Sequence, residues 1–173
     1  MKDLLECMKS RKSVKKYKDT PVEKELLDKI IEAGLYAPSG RNLQAPIIIS
    51  VTNKQVRDEL SKLNAKIMGA EGSDPFYGAP AVLIVLADKN VSTYVYDGAL
   101  VMENMMLAAH ALGLGACWIH RAKQAFELPE GKAILEKLGI AGDYEGIGHC
   151  VVGYADMIPP EKERKANRVY YID

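Results

Sequence analysis

Tyr96 to Leu112 constrains this chain more than any other stretch. It contains Leu100, Val101, Met102, Met105, Met106, Leu107, Ala108 and Ala109, with few charges. The spacing predicts a helix that is apolar nearly all round, closed by Gly113 as a C-cap. Such a helix must be covered on nearly every side. With 173 residues the chain makes one domain, spanning 1–173, with a substantial core. A domain of that size has trouble hiding this helix alone. The helix therefore points to a subunit interface, with burial inside a single core as the other outcome.

The neighbouring segments supply layers for it. Thr20-Pro21-Val22-Glu23 predicts a helix start, with Thr20 as N-cap and Glu23 closing a capping box. That helix buries Leu26, Leu27, Ile30, Ile31 and Leu35, and stops by Ala37 because Pro38 follows. Ile47 to Val51 reads as a short buried strand. Asn53 caps a second amphipathic helix carrying Val56, Leu60, Leu63 and Ile67. Gly69 to Gly78 is a glycine-rich loop. Ala81 to Ala87, Gly115 to Ile119 and Ile147 to Tyr154 read as three further strands. Two short helices lie between the last two, the second from Glu130 to Leu138. Helices and strands mix without strict alternation, which predicts an α+β sandwich of sheet and helices. After Pro159-Pro160 comes a charged run and a β-prone tail, Val169-Tyr170-Tyr171-Ile172. Such a tail either completes its own sheet or adds an edge strand to a partner. The central helix favours the second.

Composition excludes several functions. Lys plus Arg and Asp plus Glu both number 23, a net charge of zero that weighs against a general nucleic-acid binder. No apolar run is long enough to span a bilayer. The N-terminal Met-Lys-Asp-Leu-Leu-Glu-Cys has acids where a signal peptide needs apolar residues, so the expected compartment is the cytoplasm. Cys7, Cys117 and Cys150 are far apart, and His110, His120 and His149 fall on different segments. That spacing predicts no disulfide framework and no metal site.

One basic run stands out: Ser10-Arg11-Lys12-Ser13-Val14-Lys15-Lys16-Tyr17. It follows a short amphipathic run in which Leu4, Leu5 and Met8 share a face. In an extended segment alternate residues point the same way, so Arg11, Ser13 and Lys15 would share one side. A guanidinium, a hydroxyl and an ammonium suit a phosphate or another compact anion. Taken alone, the run also reads as a solvated basic face.

Motifs along the chain decide between the two. The Ser10–Tyr17 run resembles the Arg-Arg-Ser-x-Arg-x-Phe opening of the FMN-dependent nitroreductase family. Pro38-Ser39-Gly40-Arg41-Asn42-Leu43-Gln44 is similar to its Pro-Ser-x-x-Asn-x-Gln loop. Tyr77-Gly78-Ala79-Pro80, the stretch Leu112 to Trp118, and Gly153-Tyr154 followed by Lys162-x-Arg164 complete the pattern in order.

The resemblance implies a nitroreductase-like fold. Its mainly antiparallel sheet is flanked by helices, in an intertwined homodimer that exchanges C-terminal strands. It implies FMN as cofactor and NADH or NADPH as transient hydride donor. Carried over by position, Arg11, Lys12 and Ser13 meet the phosphate and ribityl end. Lys15 lies near the pyrimidine edge, and Lys162 and Arg164 return to the phosphate. Pro38, Ser39, Gly40 and Asn42 come from the partner subunit. Asn42 and Gln44 suit the ribityl hydroxyls or a uracil-like edge. The backbone of Ile119, His120 and Arg121 lies beside the flavin, with an amide near N5. The implied reaction is ping-pong reduction of a flat small-molecule acceptor, such as a nitroaromatic or a quinone. No side chain is assigned as catalytic, because the cofactor carries the electron chemistry. Two other readings stay open: a flavoprotein of this fold that dehalogenates or fragments its substrate, and a non-catalytic flavin- or nucleotide-binding protein.

Overall fold

The run around Ile47 forms the outer strand of an antiparallel sheet. In the computed structural model, which describes residues 3–173, the strands are β1 (Pro46–Val51), β2 (Ala81–Asp88), β3 (Gly115–Ile119) and β4 (Tyr144–Gly153). Their order is β1-β2-β4-β3, and every neighbouring pair is antiparallel. Met1 and Lys2, the start of the N-terminal run read above, lie outside the described residues.

β2 explains why its sequence is a continuous apolar run rather than an alternation. It is buried on both faces, as central strands covered by two helical layers are. Leu83, Val85 and Ala87 join the core under α2 (Lys24–Leu35) and α4 (Tyr94–Ala111). Val82, Ile84 and Leu86 join the opposite core under α3 (Lys54–Ile67), α5 (Ala122–Glu127) and α6 (Pro129–Lys137). The period of two thus survives as a division between two cores. Between β2 and β4 the register slips at Val85/Leu86, so Ile147 is an extra residue on β4.

Most predicted elements are present. Asn53 caps α3 by accepting the Val56 N–H at 3.1 Å. Helix α2 differs: it starts at Lys24, with no side-chain cap. The Glu23 carboxylate accepts the Tyr154 hydroxyl at 2.6 Å, so it is not available for a capping box. Lys18 N–H is bonded to the Tyr154 carbonyl, which keeps the preceding chain extended along the end of β4. Leu35, expected inside, is exposed. β4 starts at Tyr144 rather than Ile147, because pairing with β2 resumes beyond the bulge.

The central helix keeps its predicted character. Met102, Met105 and Ala109 are wholly buried, while Tyr96 and Leu100 are 72% and 43% exposed. Leu4 and Leu5 of α1 (Leu4–Ser10), and Met8, are exposed as well. The single chain therefore leaves part of this helix and all of that apolar face uncovered. The tail forms no strand within the chain, and Tyr170, Tyr171 and Ile172 are fully in solvent.

Candidate functional site

The basic run is extended, as the alternation requires, and is fastened to the free side of edge strand β3. Ser13 pairs with Ala116 in a parallel bridge, and Val14 N–H donates to the Ala116 carbonyl at 3.1 Å. Val14 and Tyr17 point inward and are buried; Ser13 and Lys15 are exposed. The Tyr17 hydroxyl donates to the Val14 carbonyl at 2.8 Å and closes the segment on itself. Lys15 Nζ lies 5.7 Å from the centre of the Tyr77 ring, a cation–π contact that draws the ammonium toward the Gly69–Gly78 loop.

Arg11 departs from the simple alternation. As the residue capping α1, it turns partly inward, with only 22% of its side chain exposed. Its Nε is 3.8 Å from Glu103 Oε1 on α4, a long and weak pairing. Its Nη1 is buried with no hydrogen-bond partner among the described residues. A guanidinium N–H is rarely left so, because an unmet buried donor costs about 1–3 kcal/mol. Lys12 is half-buried beside it.

The second candidate segment, 38–44, is strained. Arg41, Asn42 and Gln44 all have positive φ (52°, 56° and 51°). Non-glycine residues enter that region at a cost of order 1–3 kcal/mol each. The surroundings hold them there. Ser39 Oγ accepts the Gln44 N–H at 3.0 Å, and Gln44 Nε2 donates to Asn42 Oδ1 at 3.1 Å. Gly40 N–H donates to Asp97 Oδ1 at 3.0 Å, and Thr93 Oγ1 donates to Asp97 Oδ2 at 2.9 Å. A Cβ on Gly40 would lie 2.3 Å from Thr93 Oγ1, so only glycine allows this approach. Pro38, Asn42 and Gln44 are exposed.

The third segment follows β3. His120 is exposed, and Arg121 has φ 74° as the residue before α5. Lys162 and Arg164 lie in the exposed tail and make no hydrogen bond or ion pair with Arg11, Lys12 or Ser13 among the described residues. Within one chain, therefore, the two ends do not meet. Asp97, Thr93 and Glu103 were missed by sequence reasoning. The available signal was the scarcity of charge on α4: an acid in so apolar a helix needs a buried donor.

All three cysteines are buried. Burial pushes the Cys117 pKa up, against a hydrogen bond from Ser13, and pushes Cys150 up to about 12. Both are small buried hydrophobes. Among the described residues no cluster of His, Cys, Asp and Glu could hold a metal ion, and no helix is long and apolar enough to cross a membrane.

A family comparison decides the lineage, because the nitroreductase family model matches residues 8–154. The chain belongs to the nitroreductase family. A protein of Methanothermobacter thermautotrophicus is 32% identical to it over 141 residues, 74% of this chain and 71% of that one. The NADPH-flavin oxidoreductase of Vibrio harveyi is 29% identical over 181 residues, 95% of this chain and 70% of that one. Among solved structures, a nitroreductase with bound FMN from Bacteroides fragilis superposes with a TM-score of 0.91. It is 28% identical, with all of both chains covered. This nitroreductase-family chain thus has the α+β fold expected of it, with four antiparallel strands between helical layers.

Proposed function

We propose that this protein is an FMN-dependent NAD(P)H oxidoreductase, working as a homodimer that reduces flat acceptors such as nitroaromatics or quinones. The observation that carries the reading is Arg11: a buried guanidinium N–H with no partner among the described residues, beside the exposed Ser13 and a second cation. That donor set fits the FMN phosphate. A guanidinium binds phosphate through a planar fork, and Ser13 and Lys12 can serve the remaining oxygens.

Bound FMN supplies the electron chemistry, accepting reducing equivalents from NADH or NADPH and passing them to the acceptor. The chain supplies position and charge. Arg11, Lys12 and Ser13 hold the phosphate and ribityl end, fixed by the bridge from Ser13 to β3. Lys15 places a positive charge near the pyrimidine edge, where negative charge develops on reduction. The backbone of Ile119, His120 and Arg121 presents amides to the flavin. Pro38, Ser39, Gly40 and Asn42 serve the site of the other subunit from a preorganised loop, which costs no ordering at binding, and Gln44 suits the ribityl hydroxyls or a uracil-like edge.

Support for the dimer comes from the uncovered apolar face of Tyr96, Leu100, Leu4, Leu5 and Met8. Support for strand exchange comes from the bare outer edge of β1, beside a groove of about 720 Å³ lined by Ile49, Val51, Leu60, Leu63 and Ile134. An apolar tail such as Val169–Ile172 fits such an edge. Exchange would also carry Lys162 and Arg164 to a phosphate. Three unpaired buried cysteines suit a reducing compartment, in keeping with the cytoplasm.

The test is direct. Purified protein should absorb as oxidised flavin and bleach with NADH or NADPH, then recover on addition of a quinone. A colourless protein that takes up no added FMN would overturn the reading. Flavin that is bound yet reduced by neither nicotinamide would leave a binding protein only.

A further inference from the structure

Tyr77 has a φ of 55°, in the left-handed region. A bulky side chain is an outlier there, and a turn that only needs this geometry takes glycine or asparagine. Asp74 holds the turn. Its carbonyl accepts the Tyr77 N–H at 3.0 Å, and its carboxylate accepts the N–H groups of Phe76 at 3.0 Å and Gly78 at 2.7 Å. The same carboxylate is bonded to Arg57 Nη2 and the Ser61 hydroxyl, both on α3. Arg57 Nε also donates to the Ala79 carbonyl at 3.0 Å, and its guanidinium lies 5.6 Å from the centre of the Phe76 ring. Phe76 and Ala79 are buried on either side of the turn, whereas Tyr77 is 36% exposed. A strained backbone fastened to a helix thus keeps one aromatic ring at the surface.

That ring meets Lys15, whose Nζ lies 5.7 Å from its centre. Among the described residues the Lys15 side chain makes no ion pair and no hydrogen bond. Its backbone is fixed on both sides: Val14 N–H is bonded to the Ala116 carbonyl on β3, and Tyr17 bridges to Ala155 beyond β4. The four-carbon stem would otherwise sweep freely. A carboxylate partner would restrain the ammonium and also cancel its charge. The neighbouring Lys16 has that arrangement, with its Nζ 2.7 Å from Asp156. An aromatic face attracts the cation through its quadrupole and leaves the whole charge for a ligand. Restraint without neutralisation suits a cation that has to meet negative charge in a fixed place.

We propose that Tyr77 is a positioning residue for the flavin: its ring restrains the Lys15 ammonium at the pyrimidine edge without neutralising it. This rests on the flavin reading above, which puts Lys15 at that edge. Tyr77 acts through Lys15. The restrained charge favours the electron-richer reduced flavin.

The test uses the full chain loaded with FMN and reads its two-electron midpoint potential. Tyr77→Leu removes the aromatic face and should lose about tenfold of the preference for reduced flavin, about 30 mV. Tyr77→Phe keeps the face and should retain at least half of that preference. Lys15→Met should itself lower the potential, and Tyr77→Leu added to it should change the preference by less than about twofold more. Tyr77→Gly relieves the backbone strain, so its Tm should match or exceed that of wild type while its potential falls as in the Leu variant. A merely structural role would move Tm and leave the potential where it was. Wild-type potentials in the Leu and Gly variants overturn the proposal. So does an equal drop from Tyr77→Leu with and without Lys15, which would have the ring act on the flavin directly. If the variants lose FMN altogether, the lysine methylene signals of the apoprotein decide it by NMR. The Lys15 ε-methylene should be ring-shifted in wild type and not in Tyr77→Leu, and in wild type should move again when FMN is added. Failure of either shift overturns the proposal. Wild-type protein that takes up no FMN overturns the flavin reading and this inference together. A yellow wild type whose Lys15→Met variant keeps the wild-type potential overturns only this inference.

Discussion

The Asp97 carboxylate, buried in the first turns of α4, accepts the backbone N–H of Gly40 at 3.0 Å across 57 residues of chain. Its other oxygen accepts the Thr93 hydroxyl. One carboxylate thus ties the central helix to the loop in which Arg41, Asn42 and Gln44 hold positive φ. Strain of that kind persists only where the surroundings overdetermine it. Asp97→Ala removes the acceptor and leaves the Gly40 N–H unmet. It should destabilise the protein by about 1–3 kcal/mol in urea unfolding, and FMN should be lost on dialysis. Asp97→Asn keeps one acceptor oxygen and should fall between. Full FMN retention in Asp97→Ala would mean the loop needs no such anchor.

Arg11 should be the largest single contributor to phosphate binding. Arg11→Ala is expected to weaken FMN binding about ten- to hundredfold, the loss of one or two charge-assisted hydrogen bonds. Arg11→Lys should restore only part of this, because an ammonium lacks the planar fork. Fluorescence titration of the apoprotein with FMN reads both. Glu103 tests the same geometry from the other side. Its carboxylate, 3.8 Å from Arg11 Nε, opposes a phosphate placed there. Glu103→Gln should tighten FMN binding by a few-fold at low salt, less at high salt. FMN content indifferent to Arg11 would remove it from the site.

Much of this fold was legible because local and tertiary signals agree. Ala81–Ala87 reads as a buried strand from its apolar run alone, and Asn53 caps α3 through its own side chain. The start of α2 was not legible. Thr20-Pro-Val-Glu is a good local start, but Glu23 is claimed by the Tyr154 hydroxyl, 131 residues away. The tail was legible only as β-prone: Val169–Ile172 forms no strand within one chain, and its residues alone do not say what it would pair with. Of the site, the polar motifs were readable and their anchors were not. An aspartate in a helix's first turn ordinarily answers to the helix dipole, and nothing in the sequence says that Asp97 instead answers to Gly40. The inward turn of Arg11 was likewise invisible, since it depends on where α1 ends against α4.

The loop before β2 carries an acid-sensitive fastening. Asp74 accepts from Arg57 Nη2 at 2.6 Å, from the Ser61 hydroxyl, and from the N–H groups of Phe76 and Gly78. Burial alone would push its pKa up; the bonds from Arg57, Ser61 and Gly78 outweigh that and bring it below the ordinary 3.8. A lowered folded-state pKa means stability present above the unfolded value and lost as pH falls through the folded one. Urea midpoints should therefore drop below about pH 4. Asp74→Asn should remove that part of the pH dependence and cost about 1–3 kcal/mol at neutral pH, since buried Arg57 loses one of its two carboxylate partners and keeps only Asp58. An acid profile unchanged in Asp74→Asn would assign the transition to other carboxylates.

The exposed tail allows the dimer and the cofactor to be separated. Val169, Tyr170, Tyr171 and Ile172 are open to solvent on one subunit, and the outer edge of β1 is unpaired. A chain ending at Lys165 keeps Lys162 and Arg164 but lacks the β-prone segment. If that segment adds a strand to the partner, this truncation should weaken dimerisation, with monomer appearing at micromolar concentration in sedimentation velocity. The double variant Lys162→Ala/Arg164→Ala keeps the strand and removes two cations. It should remain dimeric and lose FMN more readily on dialysis, with a shallower salt dependence. Truncated protein as dimeric and as yellow as the full chain would place the tail outside the interface. The apolar face of Tyr96, Leu100, Leu4, Leu5 and Met8 would then carry the dimer alone, and Tyr96→Lys, in place of the truncation, should break it.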